Sequence, residues 1–259
     1  MTASLREQAL ELLLLQDADI KAARCRKLDP RDSVDAQALL AEPPGIPGRP
    51  ARPPLVPHAQ LKQRSIQTSA GRAALIHALA HIELNAIDLA LDVCWRFAGM
   101  PDLFYRQWIG VAREEALHFE LLRDHLHSLG HGYGDFPAHG ALWEMAEKTR
   151  HDLLARLALV PRTLEARGLD ASPAIKAKLM AAGDQRAGDI LDIILHDEIG
   201  HVAIGNHWYR VVCEERGLDP VETYLALARQ YGAPRPRGPF NFDARRAAGF
   251  SEAELDQLR

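Results

Sequence analysis

Cysteine is scarce in this sequence, and the few cysteines lie far apart. Only Cys25, Cys94 and Cys213 occur in 259 residues, and no two are spaced as Cys-x-x-Cys. An odd number of scattered cysteines disfavours a disulfide framework, and the lack of a Cys-x-x-Cys pair disfavours a zinc ribbon or a rubredoxin-type iron site. Reduced thiols are typical of the cytosol, and we expect a cytoplasmic protein.

Long uncharged apolar runs and a positive net charge are also lacking. No stretch approaches the ~18 uncharged apolar residues of a membrane span. The N-terminal segment lacks the basic start and the cleavage site of a signal peptide. Acidic residues outnumber lysine plus arginine by 35 to 31, for a formal net charge of -4. We therefore expect no membrane association, and nucleic-acid binding through overall charge is disfavoured.

Strand-type alternation of useful length is absent as well, which predicts an all-α fold. Residues 66–217 carry apolar residues at helical spacing and are predicted to form a four-helix bundle. Its first two long helices should end at Gly99 and Gly130, because glycine commonly terminates helices. The fourth should cover residues 184–216.

The third long helix is predicted over residues 141–167, with a kink at Pro161 in its second half. Ser172 and Pro173 then suit the start of a short helix, by cap chemistry and by the preference of proline for the first turn. These features lie between two better-defined long helices.

The remaining segments flank the bundle within one structural domain. In residues 1–65, Ser4 and Glu7 form a capping-box pattern before a short helix. Seven prolines among residues 43–57 predict an extended strap that packs on the bundle. Residues 218–259 should form a short helix beyond Pro220 and an irregular tail, with another capping box at Ser251 and Glu254.

Two Glu-x-x-His motifs lie on the apolar faces of the second and fourth long helices. They pair Glu115 with His118 and Glu198 with His201. Residues three apart share a helix face. Here that face is the one that must point to the core. Four titratable groups in a core are costly unless something compensates them.

The first and third helices each add a further glutamate. Glu83 lies 32 residues before Glu115, and Glu165 lies 33 residues before Glu198. Each interval is about one long helix and a turn, so each half of the bundle offers Glu followed by Glu-x-x-His. Four glutamates balance the charge of two divalent cations. Carboxylates with one imidazole per ion suit iron or manganese.

The sequence resembles the ferritin-like superfamily and, within it, an uncharacterised bacterial family, domain of unknown function family 455. The likeness covers nearly the whole chain, including the PFNFDARRAAGFS tail. It is carried by four segments: AHIELNAIDLALD, EEALHF, VPRTLEARGLD and LHDEIGHVAIGNHWY.

The resemblance implies a ferritin-like bundle with a dimetal site. The ions would be iron, with manganese or a mixed pair as alternatives. Glu115 and Glu198 would be bridging ligands, and the implied ligand set is Glu83, Glu115, His118, Glu165, Glu198 and His201. Arg162, three residues before Glu165, is a candidate to hold a substrate anion or to tether a ligand carboxylate.

Three functions remain open at this point. A di-iron oxidoreductase would use dioxygen to oxidise or hydroxylate a small substrate, with an electron donor that the sequence does not name. An iron-handling or peroxide-reducing protein would use a similar site. A tRNA-base hydroxylase would need a basic patch, for which the tail offers Arg235, Arg237, Arg245 and Arg246. The oligomeric state is open too, a dimer among the options.

Overall fold

The computed structural model describes residues 3–62 and 64–258 and confirms the all-α fold class. Within those two ranges the backbone forms helices and loops and no strand. One isolated bridge pairs Leu55 with Ala138. The chain divides into two compact units, Met1–Gly140 and Ala141–Arg259. The domain bounds predicted from the sequence stay a prediction.

The first unit is built on two long helices of similar length that are joined by a short turn. Its helices are α1 (Leu5–Leu13), α2 (Ala18–Cys25), a 3-10 turn (His58–Gln60), α3 (Ser69–Arg96) and α4 (Asp102–Ser128). The two long helices end at Arg96 and Ser128, within three residues of the predicted ends at Gly99 and Gly130. The capping box at Ser4 is present. Helix α2, with Asp17 as its N-cap, was not predicted.

Helix α3 is the most apolar element of the chain. By length and composition it is the one helix in the described ranges that could cross a membrane. Its most apolar window is 72% buried inside the structure, however, as is usual for a core helix. Helices α1 and α4 both pack against it.

The proline-rich strap contacts the first unit through its backbone. The Gly48 N–H donates to the Leu13 carbonyl at 2.8 Å, and Lys21 Nζ donates to the Gly48 carbonyl at 2.9 Å. A Cβ at Gly48 would lie 2.1 Å from the Leu14 carbonyl oxygen, so this close approach requires glycine. At Gly48 the strap therefore packs against α1 and α2, and its packing on the predicted bundle stays a prediction.

The second unit differs from the prediction in its first half. Its helices are α5 (Ala141–Lys148), α6 (Leu153–Leu159), a π-helical segment (Val160–Glu165), α7 (Ala166–Ala181), α8 (Gln185–Glu215), α9 (Pro220–Gln230), α10 (Phe242–Ala247) and α11 (Glu252–Asp256). The single helix predicted over residues 141–167 is wrong. The chain breaks before Asp152, whose side chain caps α6 by accepting from the Leu154 and Ala155 N–H groups.

The prediction of a helix start at Ser172 and Pro173 is also wrong. Pro173 lies inside α7. Proline has no N–H, so the carbonyl four residues earlier, that of Leu169, loses its helical donor. Asn241 Nδ2 donates to that carbonyl at 3.2 Å. A side chain from a distant segment thus replaces the hydrogen-bond donor that proline lacks in the middle of this helix.

The tail is more ordered than expected. Asn241 accepts from the Ala244 N–H and so caps α10, where an irregular segment was predicted. The Ser251–Glu254 capping box begins α11, as predicted. Ala244 and Ala248 join a small core with Ala166, Leu169 and Val202, which fixes the tail within the second unit.

Two glycines of α8 give a stability prediction. A Cβ at Gly205 would meet Pro161 Cβ at 2.5 Å, whereas one at Gly200 would meet nothing within 4 Å. Overpacking costs about 1–3 kcal/mol, against a helix-propensity gain of about 1 kcal/mol. Urea unfolding of metal-free protein should therefore show Gly205→Ala destabilised by up to about 2 kcal/mol. The control Gly200→Ala should be neutral or stabilised, and equal effects would refute the close contact.

Candidate metal centre

Three of the predicted ligand residues meet in the first unit. Glu83 lies on α3, and Glu115 and His118 lie one helical turn apart on α4. Their side chains are buried, with exposed fractions of 4%, 0% and 0%. Because α3 and α4 pack along their length, the inward faces bring the three groups together.

The geometry around His118 is compact. His118 Nδ1 lies 3.3 Å from Oε2 of Glu83 and 3.3 Å from Oε2 of Glu115. One donor atom from each residue lies within 4.8 Å of the others. Two carboxylates and one imidazole at this spacing can hold a metal ion of the iron or manganese type.

Electrostatics make this cluster unfavourable without a cation. Burial, and then the charge of Glu115, raise the pKa of Glu83 to about 7, while a hydrogen bond and the charge of His118 lower it. Both glutamates are charged at neutral pH only at a cost, since buried like charges repel. A bound cation would remove that cost.

Pairings with other segments that the sequence did not predict hold α3 in place. Lys21 Nζ lies 2.5 Å from Asp88 Oδ1, and both side chains are buried. His81 Nδ1 lies 2.8 Å from the Tyr133 hydroxyl. Within α3 itself, Asn85 Nδ2 donates to the His81 carbonyl at 2.7 Å. No local sequence pattern signals these pairs, since most of their partners lie in distant segments.

The second unit holds the other predicted ligands. Glu198 and His201 lie one turn apart on α8 and are 7% and 1% exposed. His201 Nδ1 lies 3.9 Å from Glu198 Oε1. Glu165 is half-buried at the end of the π-helical segment. The Glu-x-x-His pair therefore faces the core, as predicted, and the ligand role of all three stays a prediction.

Arg162 has a carboxylate partner other than the predicted ligands. Its Nη2 donates to Glu254 Oε1 at 2.6 Å, and both side chains are buried. The guanidinium lies 4.4 Å from the ring centre of Tyr209. Arg162 therefore pairs with a carboxylate of α11, and its predicted role beside a metal ligand stays a prediction.

One of the four arginines predicted to form a basic patch on the tail, Arg245, is not at the surface. Arg245 is 3% exposed and bonds Asp170 Oδ2 at 2.6 Å. Arg246 pairs with Glu252 at 2.7 Å. Arg235 and Arg237 remain exposed. Arg245 is therefore a buried structural cation and not part of an RNA-facing surface.

The raised pKa of Glu83 gives a pH prediction for metal-free protein. A carboxyl whose pKa is higher folded than unfolded adds no cost below the unfolded value, 4.5, and its full cost above the folded value, about 7. Between these limits wild type should lose about 3 kcal/mol of unfolding free energy relative to Glu83→Gln. Urea unfolding in a metal chelator at several pH values measures this difference.

The comparison with Glu83→Gln is needed because two histidines act in the opposite direction. Burial lowers the pKa of His77 and of His81 to about 4. Their neutral forms are favoured in the fold, so they add stability as pH rises to about 6.5. Both proteins share this contribution. A constant difference between them across pH would contradict the strained carboxylate pair.

Comparison with known proteins confirms the family resemblance over nearly the whole chain. The family described as "Protein of unknown function (DUF455)" matches residues 14–256. An uncharacterised protein of Haemophilus influenzae is 50% identical over an alignment of 216 residues, and the match covers 81% of this chain and 75% of that protein. No solved structure matches the sequence significantly.

Proposed function

Since this chain belongs to the DUF455 family, whose description gives no reaction, we propose from its own residues that it is a di-iron carboxylate oxidoreductase. The proposed reaction is dioxygen-dependent oxidation or hydroxylation of a small organic substrate. The observation that carries the proposal is the buried cluster of Glu83, Glu115 and His118. Such a cluster is expensive to bury for structural reasons alone.

The residues of the cluster fit a metal ion of this type. Two carboxylates and an imidazole are hard and borderline donors, which suit ferrous iron or manganese. The cluster carries the negative charge that a divalent cation neutralises, and burial together with the charge of Glu115 raises the pKa of Glu83. The three cysteines are buried free thiols, and burial raises the pKa of each, which disfavours a thiolate ligand.

We propose a second ion on the repeated pattern of the second unit. Glu165, Glu198 and His201 repeat the order and spacing of the first set. Two such sets are what ferritin-like dimetal proteins contain. A ferritin-like arrangement of the long helices and a pair of ions, iron or manganese, are part of this proposal.

The chain's own residues would bind, orient and shield. When bound, the ions supply the one-electron and oxygen chemistry that side chains cannot. Glu83 and Glu115 would be carboxylate ligands that neutralise the charge of the ions, and His118 would be a ligand through Nδ1. Apolar neighbours on α4, Ala112, Ala116 and Phe119, are fully buried and keep water from the cluster.

Dioxygen uptake by iron-loaded protein tests this function. Protein loaded anaerobically with ferrous iron should consume dioxygen rapidly and retain about two iron ions per chain when excess iron is offered. The double variant Glu115→Gln, Glu198→Gln should do neither. Continued uptake of iron well beyond two per chain, or a shell-like oligomer on size-exclusion chromatography, would favour iron handling instead.

The tRNA hydroxylase alternative has its own readout. Binding of tRNA that weakens steeply with salt would support it. The burial of Arg245 in an ion pair with Asp170 removes one of the cations on which that alternative depended.

A further inference from the structure

The second unit contains a cavity of about 550 Å³ that the metal ligands do not line. It lies against α9, the loop after it, and α11. This volume is in the range of small-molecule sites. Much of its wall is apolar or aromatic, formed by Val221, Tyr224, Leu225, Ala228, Phe250 and Leu258.

A buried arginine stands at the wall of this cavity. Arg162 is 3% exposed, and Nη2 donates to Glu254. Its Nε and Nη1 are buried and find no hydrogen-bond acceptor among the residues that the structure describes. Buried charged donors without an acceptor are costly. The ring centres of Tyr224 and Phe250 lie 5.3 Å and 5.1 Å from the guanidinium carbon.

The charge of the lining is positive. Four arginines, Arg162, Arg229, Arg235 and Arg245, line the cavity with one carboxylate, Glu254. The carboxylate is already engaged by Arg162, and Arg245 is neutralised by Asp170. Arg229 and Arg235 are exposed at the rim. In a chain of net charge -4, this local excess favours anions.

We propose that this cavity binds a small organic anion. A carboxylate or phosphate group would accept a hydrogen bond from Nε or from Nη1 of Arg162, the two donors that the bond to Glu254 leaves over, because hydrogen bonds between charged groups are strong. An apolar or aromatic body would lie between Tyr224, Phe250 and α9. The site goes beyond the proposed function, because it needs no metal and uses none of the proposed ligands.

Fluorescence titration with anilinonaphthalene sulfonate, an aromatic anion, tests the site in the full chain treated with chelator. Three competitors share one body: phenylbutyrate, phenylbutyl phosphate and phenylbutanol. At least one of the anions should displace the probe at a concentration at least ~10-fold below that of the alcohol, because hydrogen bonds to charged groups are strong. The better anion identifies the head group. Equal displacement by the alcohol, or no saturable probe binding, would overturn the proposal.

Variants locate the binding. Arg162→Gln should lower the affinity for phenylbutyrate at least ~10-fold. Ala228→Trp should abolish displaceable binding of the dye, because the larger side chain fills the cavity. Arg235→Gln should weaken it ~3-fold, while Arg237→Gln, an exposed neighbour outside the lining, should not. The rim and filling variants keep the buried Arg162–Glu254 pair, so they remain informative if Arg162→Gln unfolds. Unchanged affinity in Ala228→Trp and Arg235→Gln would place the probe elsewhere and overturn the proposal.

Discussion

Glu115→Gln should lower metal affinity and, at the same time, stabilise the metal-free protein. Loss of a partner that merely orients a ligand lowers metal affinity ~10–100-fold, so loss of a ligand should exceed 100-fold. Without metal, the variant no longer places a second charge beside Glu83 in the core. We expect unfolding free energy in chelator at pH 8 to rise by about 1–3 kcal/mol. Elemental analysis and urea unfolding measure the two effects.

The opposite signs of these effects separate a metal site from a structural salt bridge. If Glu115 only formed an ion pair with His118, its neutralisation would destabilise the chain and change no metal content. Glu114→Gln is the matched control, because Glu114 is exposed on another face of α4. It should change neither quantity. Destabilisation by Glu115→Gln with metal content intact would contradict the proposed centre.

Lys21→Met should destabilise the protein by about 3–5 kcal/mol, because it leaves a buried charge without its partner. The Lys21–Asp88 pair is buried on both sides. Lys21 Nζ also donates to the Gly48 carbonyl, so the substitution loosens α2 and the strap from α3. Chemical unfolding of metal-free protein measures the effect.

The same helix supplies the control for that prediction. Arg24 pairs with Glu11 at 2.6 Å, but both side chains are about half exposed. Arg24→Met should cost less than about 1 kcal/mol, since surface pairs contribute little. Adding Asp88→Leu to Lys21→Met should restore much of the loss, because replacing both buried charges with apolar groups is far less costly than removing one. No rescue would mean that the methylenes of Lys21, rather than its charge, stabilise the fold.

The features that sequence reasoning found are those set by local pattern. Helices α3, α4 and α8 have long apolar faces and end within three residues of a glycine, so their bounds follow approximately from periodicity and terminating residues. Glu83, Glu115 and His118 stand out because charged groups occupy positions of an apolar face. Burial of those groups is what the structure adds.

The features that it missed depend on distant contacts. Pro173 predicts the start of a helix from local sequence alone. It lies inside α7 instead, where the distant Asn241 donates to the Leu169 carbonyl. Arg245 was predicted to be an exposed cation, but it is buried in an ion pair with Asp170, which lies 75 residues earlier in the chain. Lys21 carries no signal at all, since its partner Asp88 is 67 residues away. The break before Asp152 had a local signal, an N-capping aspartate, which the apolar periodicity around it obscured.

The number of metal ions per chain tests the central claim most directly. Protein from cells supplied with iron and manganese, or loaded anaerobically with ferrous iron, should contain about two ions per chain by elemental analysis. The double variant Glu115→Gln, Glu198→Gln, folded by circular dichroism, should contain almost none. Absence of bound metal in wild type after ferrous loading would mean that the buried carboxylates are structural, and the oxidoreductase proposal would fall with them.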